Sequence, residues 1–178
     1  AAKKTEETKA IAEDAQRDLD EALPALDAAV QSLKSLEKKD ITEVKSMQRP
    51  PPGVKLVMEA VCIMKGMRPK KVDGEKPGEK VLDYWEPSRQ LLNDPKFLDS
   101  LFSYDKDNIS QRIVDRVTRD YLPNKDFDPM KVRNASSAAE GLCRWIHAMM
   151  NYTDVMKVVR PKKEALAVAE AKYEEVME

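Results

Sequence analysis

The sequence is short of most groups from which an enzyme centre is built. Aromatic residues are only 6% of its 178 residues, and there is a single histidine, His147. A nucleophilic or metal centre assembled from several histidines is therefore excluded. There are two cysteines, Cys62 and Cys143, each inside an apolar pattern, which reads as two reduced, buried thiols and no disulfide framework. No window approaches about 18 consecutive apolar residues, so no segment reads as a membrane span. The opening stretch AAKKTEETKAIAEDAQ has no apolar signal core. Excess charge of one sign is also missing. Lys and Arg number 31 against 32 Asp and Glu, a net charge of -1, which excludes a globally basic nucleic-acid binder. Three glycosylation sequons, at Asn108, Asn134 and Asn151, stand without any other mark of secretion.

What is present points to helices. Hydrophobic residues reach 42% beside 35% charged residues, enough for a modest core with long solvated surfaces. All five glycines lie between Gly53 and Gly141, and eight of the eleven prolines lie between Pro50 and Pro123. The two ends therefore read as long helices and the middle as a turn-rich globule. In the first arm, Leu19, Leu23, Leu26, Val30 and Leu33 form a coiled-coil seam, and Ile11, Ala15 and Leu19 change the spacing like a stutter. In the last arm, Val155, Val159, Lys162, Leu166, Ala169, Tyr173 and Val176 repeat the seam with one polar member, Lys162. Two narrow stripes at opposite ends of one chain can pair only as an antiparallel hairpin with the globule at its tip. Both arms run to the ends of the chain without caps, which predicts a segment of a longer protein whose coiled coil continues. Pro24 and Pro161 sit at nearly mirrored places in the arms, where bends are expected.

The middle predicts short helices over 40–47, 53–65, 83–92, 95–104 and 107–121, then a long amphipathic helix over 134–157 capped by Asn134 or Ser136. The stretch from Met67 to Leu82 has few core residues but holds Arg68, Lys70, Lys71, Lys76 and Lys80. Its turn signals, Val72-Asp73-Gly74 and Pro77-Gly78, fit a protruding basic loop or a small two-stranded flap. The fold class is thus all-α: an antiparallel two-helix coiled-coil stalk capped by a small helical bundle with a basic insert. The boundaries are stalk helix 1 over 1–37, globule over 38–157 with its insert at about 67–82, and stalk helix 2 over 158–178.

No chemistry follows from the motifs. Cys143 and His147 lie one turn apart, but no third or fourth metal ligand joins them. Gly74-Glu-Lys-Pro-Gly78 is one residue too short for a phosphate loop and lacks its Lys-Ser/Thr ending. The remaining signal is local charge. Lys38, Lys39, Lys45, Arg49 and Lys55 cluster where the chain enters the globule; Lys131, Arg133, Arg144, Lys157 and Arg160 flank its exit. A hairpin brings entrance and exit together, so these form a basic docking face for an acidic polymer on a neutral protein.

The residues Ile41-Thr-Glu-Val-Lys-Ser-Met47 and Pro50-Pro-Pro-Gly-Val-Lys-Leu-Val-Met-Glu-Ala-Val-Cys62 resemble the stalk head of dynein heavy chains. So do Asp83-Tyr-Trp-Glu86, Asp94-Pro-Lys-Phe-Leu98, Tyr104-Asp-Lys-Asp-Asn-Ile109 and Ala135-Ser-Ser-Ala-Ala-Glu-Gly-Leu-Cys-Arg-Trp145. The resemblance covers essentially the whole chain, and the insert and the DYWEP stretch are more similar to axonemal than to cytoplasmic dyneins. It implies a microtubule-binding domain at the tip of a dynein stalk, with tubulin as partner, no cofactor, no catalysis in this segment, and a place on the cytoskeleton of a cilium or flagellum. It implies that Pro24 and Pro161 mark the stalk junction. Lys38, Lys39, Lys45 and Lys55 match basic contact positions or their neighbours, and Arg133 lies one residue before the family's arginine position, here Asn134. The implied microtubule-binding set, with the charge clusters, is Lys38, Lys39, Lys45, Arg49, Lys55, Arg133, Arg144 and Lys157. The implied mechanism is sliding of one stalk helix on the other by roughly 5 Å, half a heptad, driven by a distant ATPase ring. The small residues Ala12, Ala15, Ala22, Ala29, Ala165 and Ala169 would make changing register inexpensive. A coiled-coil scaffold binding another protein, or a small metal-dependent enzyme, are the alternatives, and neither needs a basic tip.

Overall fold

The computed structural model describes the backbone of residues 2–177 and the side chains outside 1–5, 7 and 172–178. The elements are α1 (Ala2–Lys34), α2 (Lys38–Lys45), α3 (Pro52–Met64), β1 (Lys70–Asp73), β2 (Lys80–Asp83), α4 (Trp85–Asn93), α5 (Phe97–Phe102), a 3-10 turn (Lys106–Asn108), α6 (Gln111–Asp120), α7 (Pro129–Val132) and α8 (Ser137–Met177).

The two long helices make the most extensive contact of any pair of elements. Gly141 of α8 faces Leu33 and the Ser32 carbonyl near the end of α1, while Lys162 of α8 meets Asp14 and Asp18 far back along it. The helices are therefore antiparallel. The seam differs in phase from the leucine stripe. Ala15, Ala22, Leu26, Ala29 and Leu33 are buried, whereas Leu19, Leu23 and Val30 are only half-buried. The heptad is present, but alanines seven residues apart share the deep positions with Leu26 and Leu33, while Leu19, Leu23 and Val30 roof the edges. On α8, Val159 is buried and Val155, Lys162, Leu166 and Ala169 are half-buried; Tyr173 and Val176 lie outside the described side chains. Pro24 and Pro161 both sit inside continuous helices, exposed to solvent. The carbonyls that each proline leaves without an amide donor, those of Asp20 and Lys157, belong to exposed residues that water can reach.

Local chemistry explains the middle elements. Proline at the first helical position opens α3. Its end is a Schellman turn: the Met67 amide bonds the Cys62 carbonyl at 2.9 Å, the Gly66 amide bonds that of Ile63 at 3.1 Å, and Gly66 takes φ 73°. Between those ends Val54, Val57, Met58, Ala60, Val61, Cys62, Ile63 and Met64 are all buried, so α3 is the central rod of the globule. Trp145, Phe97, Phe127, Leu101, Leu142 and Ile146 are fully buried in the same core. At the start of α8, Ser136 is the cap: its hydroxyl accepts from the Ala139 amide at 3.1 Å.

Two elements depart from the sequence expectation. The single helix expected over 107–121 is broken into the 3-10 turn and α6. Tyr152 of α8 donates to Asp107 Oδ1 at 2.5 Å, and Arg160 donates to the Asp107 carbonyl, so tertiary bonds hold that carbonyl out of a helix. The short α7 was not expected. Asp128 caps it by accepting from the Met130 amide at 3.0 Å, and Pro129 begins it. The basic insert is a two-stranded antiparallel flap, with Lys70 opposite Asp83 and Asp73 opposite Lys80. Gly78 in its turn has φ 79°, a conformation that favours glycine.

Candidate functional site

The tip surface begins with the connection from the stalk. Only Ser35, Leu36 and Glu37 separate α1 from α2. Glu37 and Asp40 form a reciprocal capping box, with the Glu37 amide on Asp40 Oδ2 at 2.9 Å. Val44 anchors α2 in the core, and the helix packs on α4 and α8. Its outer face carries exposed Lys38 and Lys39, with Lys45 half-buried at its end. Lys39 reaches Glu37 at 3.2 Å, a solvated pair that contributes little to stability. Lys38, Lys45, Ile41 and Thr42 line one wall of a groove whose other wall is the α4–α5 turn, including Leu92, Asp94, Phe97 and Leu98.

The other expected residues are distributed unevenly. Arg49 is exposed in the turn after α2. Lys55 lies in the first turns of α3, 3.4 Å from Asp83 Oδ1 at the base of the flap. Arg133 is exposed at the end of α7, which packs on α3 and α8. Arg144 bonds Glu140 at 3.0 Å and leans on the sulfur of Met130. It borders a groove against Ala25, Ala28 and Ser32 of α1, so it faces the stalk root. Lys157 is 20 residues beyond Ser137, about 30 Å along α8. It pairs loosely with Asp154 at 3.9 Å and lines a small cleft with Lys106, Asp107 and Arg160. Fold contacts thus gather Lys38, Lys39 and Lys45 on one helix, with Arg49, Lys55 and Arg133 on neighbouring segments, and place Lys157 far along α8. In the flap, Arg68, Lys70, Lys71 and Lys76 are exposed, while Lys80 is ion-paired to Asp73.

The remaining reactive groups are used by the core. His147 Nε2 lies 3.0 Å from the Phe127 carbonyl, and its ring packs against Phe127 at a centroid distance of 5.0 Å, tilted by 37°. Burial pushes the Cys143 thiol up to about 12 and the Cys62 thiol up to about 11. Such thiols stay protonated and unreactive at neutral pH. Among the described residues no three His, Cys, Asp or Glu side chains gather as a metal site requires. No described helix is long and apolar enough to cross a membrane. Residues that the sequence reading missed are Asp14 and Asp18, which hold Lys162 across the stalk. Their only signal is a spacing of one helical turn on the flank of a seam whose partner contains a lysine.

The family described as the microtubule-binding stalk of the dynein motor matches residues 2–178. The chain belongs to this family. It is 57% identical over 171 residues to dynein axonemal heavy chain 1 of Homo sapiens, an alignment covering 96% of this chain and 4% of that protein. It is 50% identical over 168 residues to dynein axonemal heavy chain 3 of Mus musculus, covering 94% of this chain and 4% of that protein. The chain therefore spans about 4% of the length of these heavy chains. A solved microtubule-binding domain of dynein-c superimposes with a TM-score of 0.70 at 44% identity, covering 83% of this chain and 95% of that one. The described residues of this stalk domain form a helical hairpin, a helical globule and a two-stranded flap.

Proposed function

We propose that this stalk domain binds microtubules through the basic end of the globule, and that displacement of α1 along α8 sets the affinity. The contact face comprises Lys38, Lys39 and Lys45 of α2, with Arg49, Lys55 and Arg133 beside them. Arg144 stands at its margin. The flap lysines extend the positive potential from an arm that carries almost no core. Tubulin is the partner, the rest of an axonemal heavy chain supplies the ATPase that drives the stalk, and the site of action is the axoneme of a cilium or flagellum.

The observation that carries this reading is the three-residue link from α1 to α2. Leu36 of this link packs on the core, so movement of α1 by half a heptad is passed through a short, anchored connection to α2, whose lysines then meet the acidic partner in a different position. A two-state element biased from both ends is what allosteric coupling requires. The test is co-sedimentation of the chain with microtubules across a salt series. Binding that weakens as salt rises and weakens further for Lys39→Glu supports the proposal; no binding at any salt overturns it.

A further inference from the structure

We infer that Asp14, Asp18 and Lys162 form a two-rung ladder that sets the balance between registers of the stalk. This deepens the microtubule reading, on which it rests, by naming residues that position its switch. Lys162 Nζ lies 2.7 Å from a carboxylate oxygen of Asp14 and 2.7 Å from one of Asp18. The two rungs are four residues apart, one helical turn, or about 6 Å of rise. That spacing is within about 1 Å of a half-heptad step. Lys162 is partly exposed in the seam between Val159 and Leu166, so a register that left its ammonium without a carboxylate would lose two solvent-accessible ion pairs. Asp14 is also within 3.9 Å of Arg17, on the outer flank of α1.

Sliding changes the partners in a defined way. The residues one turn beyond the rungs are Ala10 and Ala22. If α1 moves one turn toward the globule, Lys162 faces Ala10 and Asp14 and keeps Asp14. If α1 moves one turn the other way, Lys162 faces Asp18 and Ala22 and keeps Asp18. The present register holds two carboxylates and each neighbour holds one. The ladder therefore favours the register seen here without forbidding a step, and each rung guards one direction.

The test reads the register directly in the 178-residue chain. Glu21→Cys and Glu164→Cys place spin labels at two exposed sites. Cys62 and Cys143 stay unlabelled because they are buried. Movement of α1 toward the globule lengthens the inter-label distance, and the opposite movement shortens it. Asp18→Asn should raise the population of the longer distance about two- to fivefold, the range for one exposed ion pair. Asp14→Asn should leave the longer distance unchanged and raise the shorter one. Lys162→Met should erase the difference between the two Asn variants, and Lys162→Arg should restore it. A merely structural salt bridge would predict equal effects of the two Asn variants; equal effects, or none, overturn the ladder. Microtubule affinity is measured on the same proteins. Distance shifts without any microtubule binding would support the ladder and refute the microtubule reading, so the two failures are distinguishable.

Discussion

Trp85 Nε1 donates a 3.0 Å hydrogen bond to the Met47 carbonyl, 38 residues earlier in the chain. It pins the turn after α2 to the start of α4. The same tryptophan's amide donates to Asp83 Oδ2 at 3.0 Å, and the other Asp83 oxygen holds Lys55 at 3.4 Å. The end of α2, the base of the flap and the first turns of α3 are thereby one hydrogen-bonded unit. Trp85→Phe keeps the ring body and removes the donor. It should cost about 1 kcal/mol, a fall in Tm of about 2–4 °C for a domain of this size. The amides of α2 should exchange faster with solvent, while those of α3, buried on nearly every face, should not.

Charge reversal on α2 tests the contact face. Lys39→Glu and Lys45→Glu should each weaken microtubule co-sedimentation roughly fivefold, about 1 kcal/mol per exposed charge. The loss should shrink as salt rises, since the Debye length is about 8 Å at physiological ionic strength. Helical circular dichroism should be unchanged, because neither lysine is buried. Full binding by both variants would remove α2 from the interface. Lys157→Glu should have little effect, because Lys157 lies far along α8 from α2.

The flap can be removed. Val81 and Leu82 are exposed, and none of the strand residues is buried. Replacing residues 68–81 with a short glycine linker should leave Tm within a few degrees and reduce microtubule affinity modestly through lost positive charge. Asp83 must stay, because it accepts from the Trp85 amide at the start of α4 and holds Lys55. Unfolding on deletion would mean that the flap supports the core.

Glu59 gives a pH dependence. Burial pushes its carboxyl above the usual range, against the opposing Tyr121 hydroxyl at 3.2 Å and the charge of Lys55. The folded state then holds this proton more tightly than the unfolded chain. Its contribution to stability is most favourable at low pH and declines as pH rises through the window just above 4.5. Glu59→Gln keeps an acceptor for Tyr121 and cannot ionise. It should flatten this part of the stability–pH curve and raise Tm by about 1–3 °C at neutral pH. A variant that is less stable at pH 7, or a curve that keeps its slope, would show that Glu59 contributes as a charged group.

Much of this architecture was legible from glycine and proline placement. The glycine-free ends became α1 and the part of α8 beyond Gly141, and the proline-rich middle became the short helices. The helices expected over 40–47 and 53–65 lie within two residues of α2 and α3, because the Pro50–Pro52 run and Gly66 are signals carried within a few residues. Three features were not local and so were not legible. The seam turned toward alanine because close helix approach favours small side chains at Ala22 and Ala29, whereas hydrophobicity alone ranks the leucines first. The helix expected over 107–121 broke because Tyr152 and Arg160, more than forty residues away, bind Asp107. Lys157 lies about 30 Å beyond Ser137 because α8 is continuous from Ser137 to Met177, which charge clustering along the chain cannot reveal.

The central claim is that stalk register controls tip affinity, and fused registers test it most directly. Joining both arms to a rigid antiparallel coiled coil fixes α1 against α8, and a series of fusions steps one arm by about four residues. The account predicts that two registers four residues apart differ at least tenfold in microtubule affinity, which needs only about 1.4 kcal/mol of coupling. Equal affinity across every fused register, with the globule folded in each, would make the stalk a passive spacer and contradict the account.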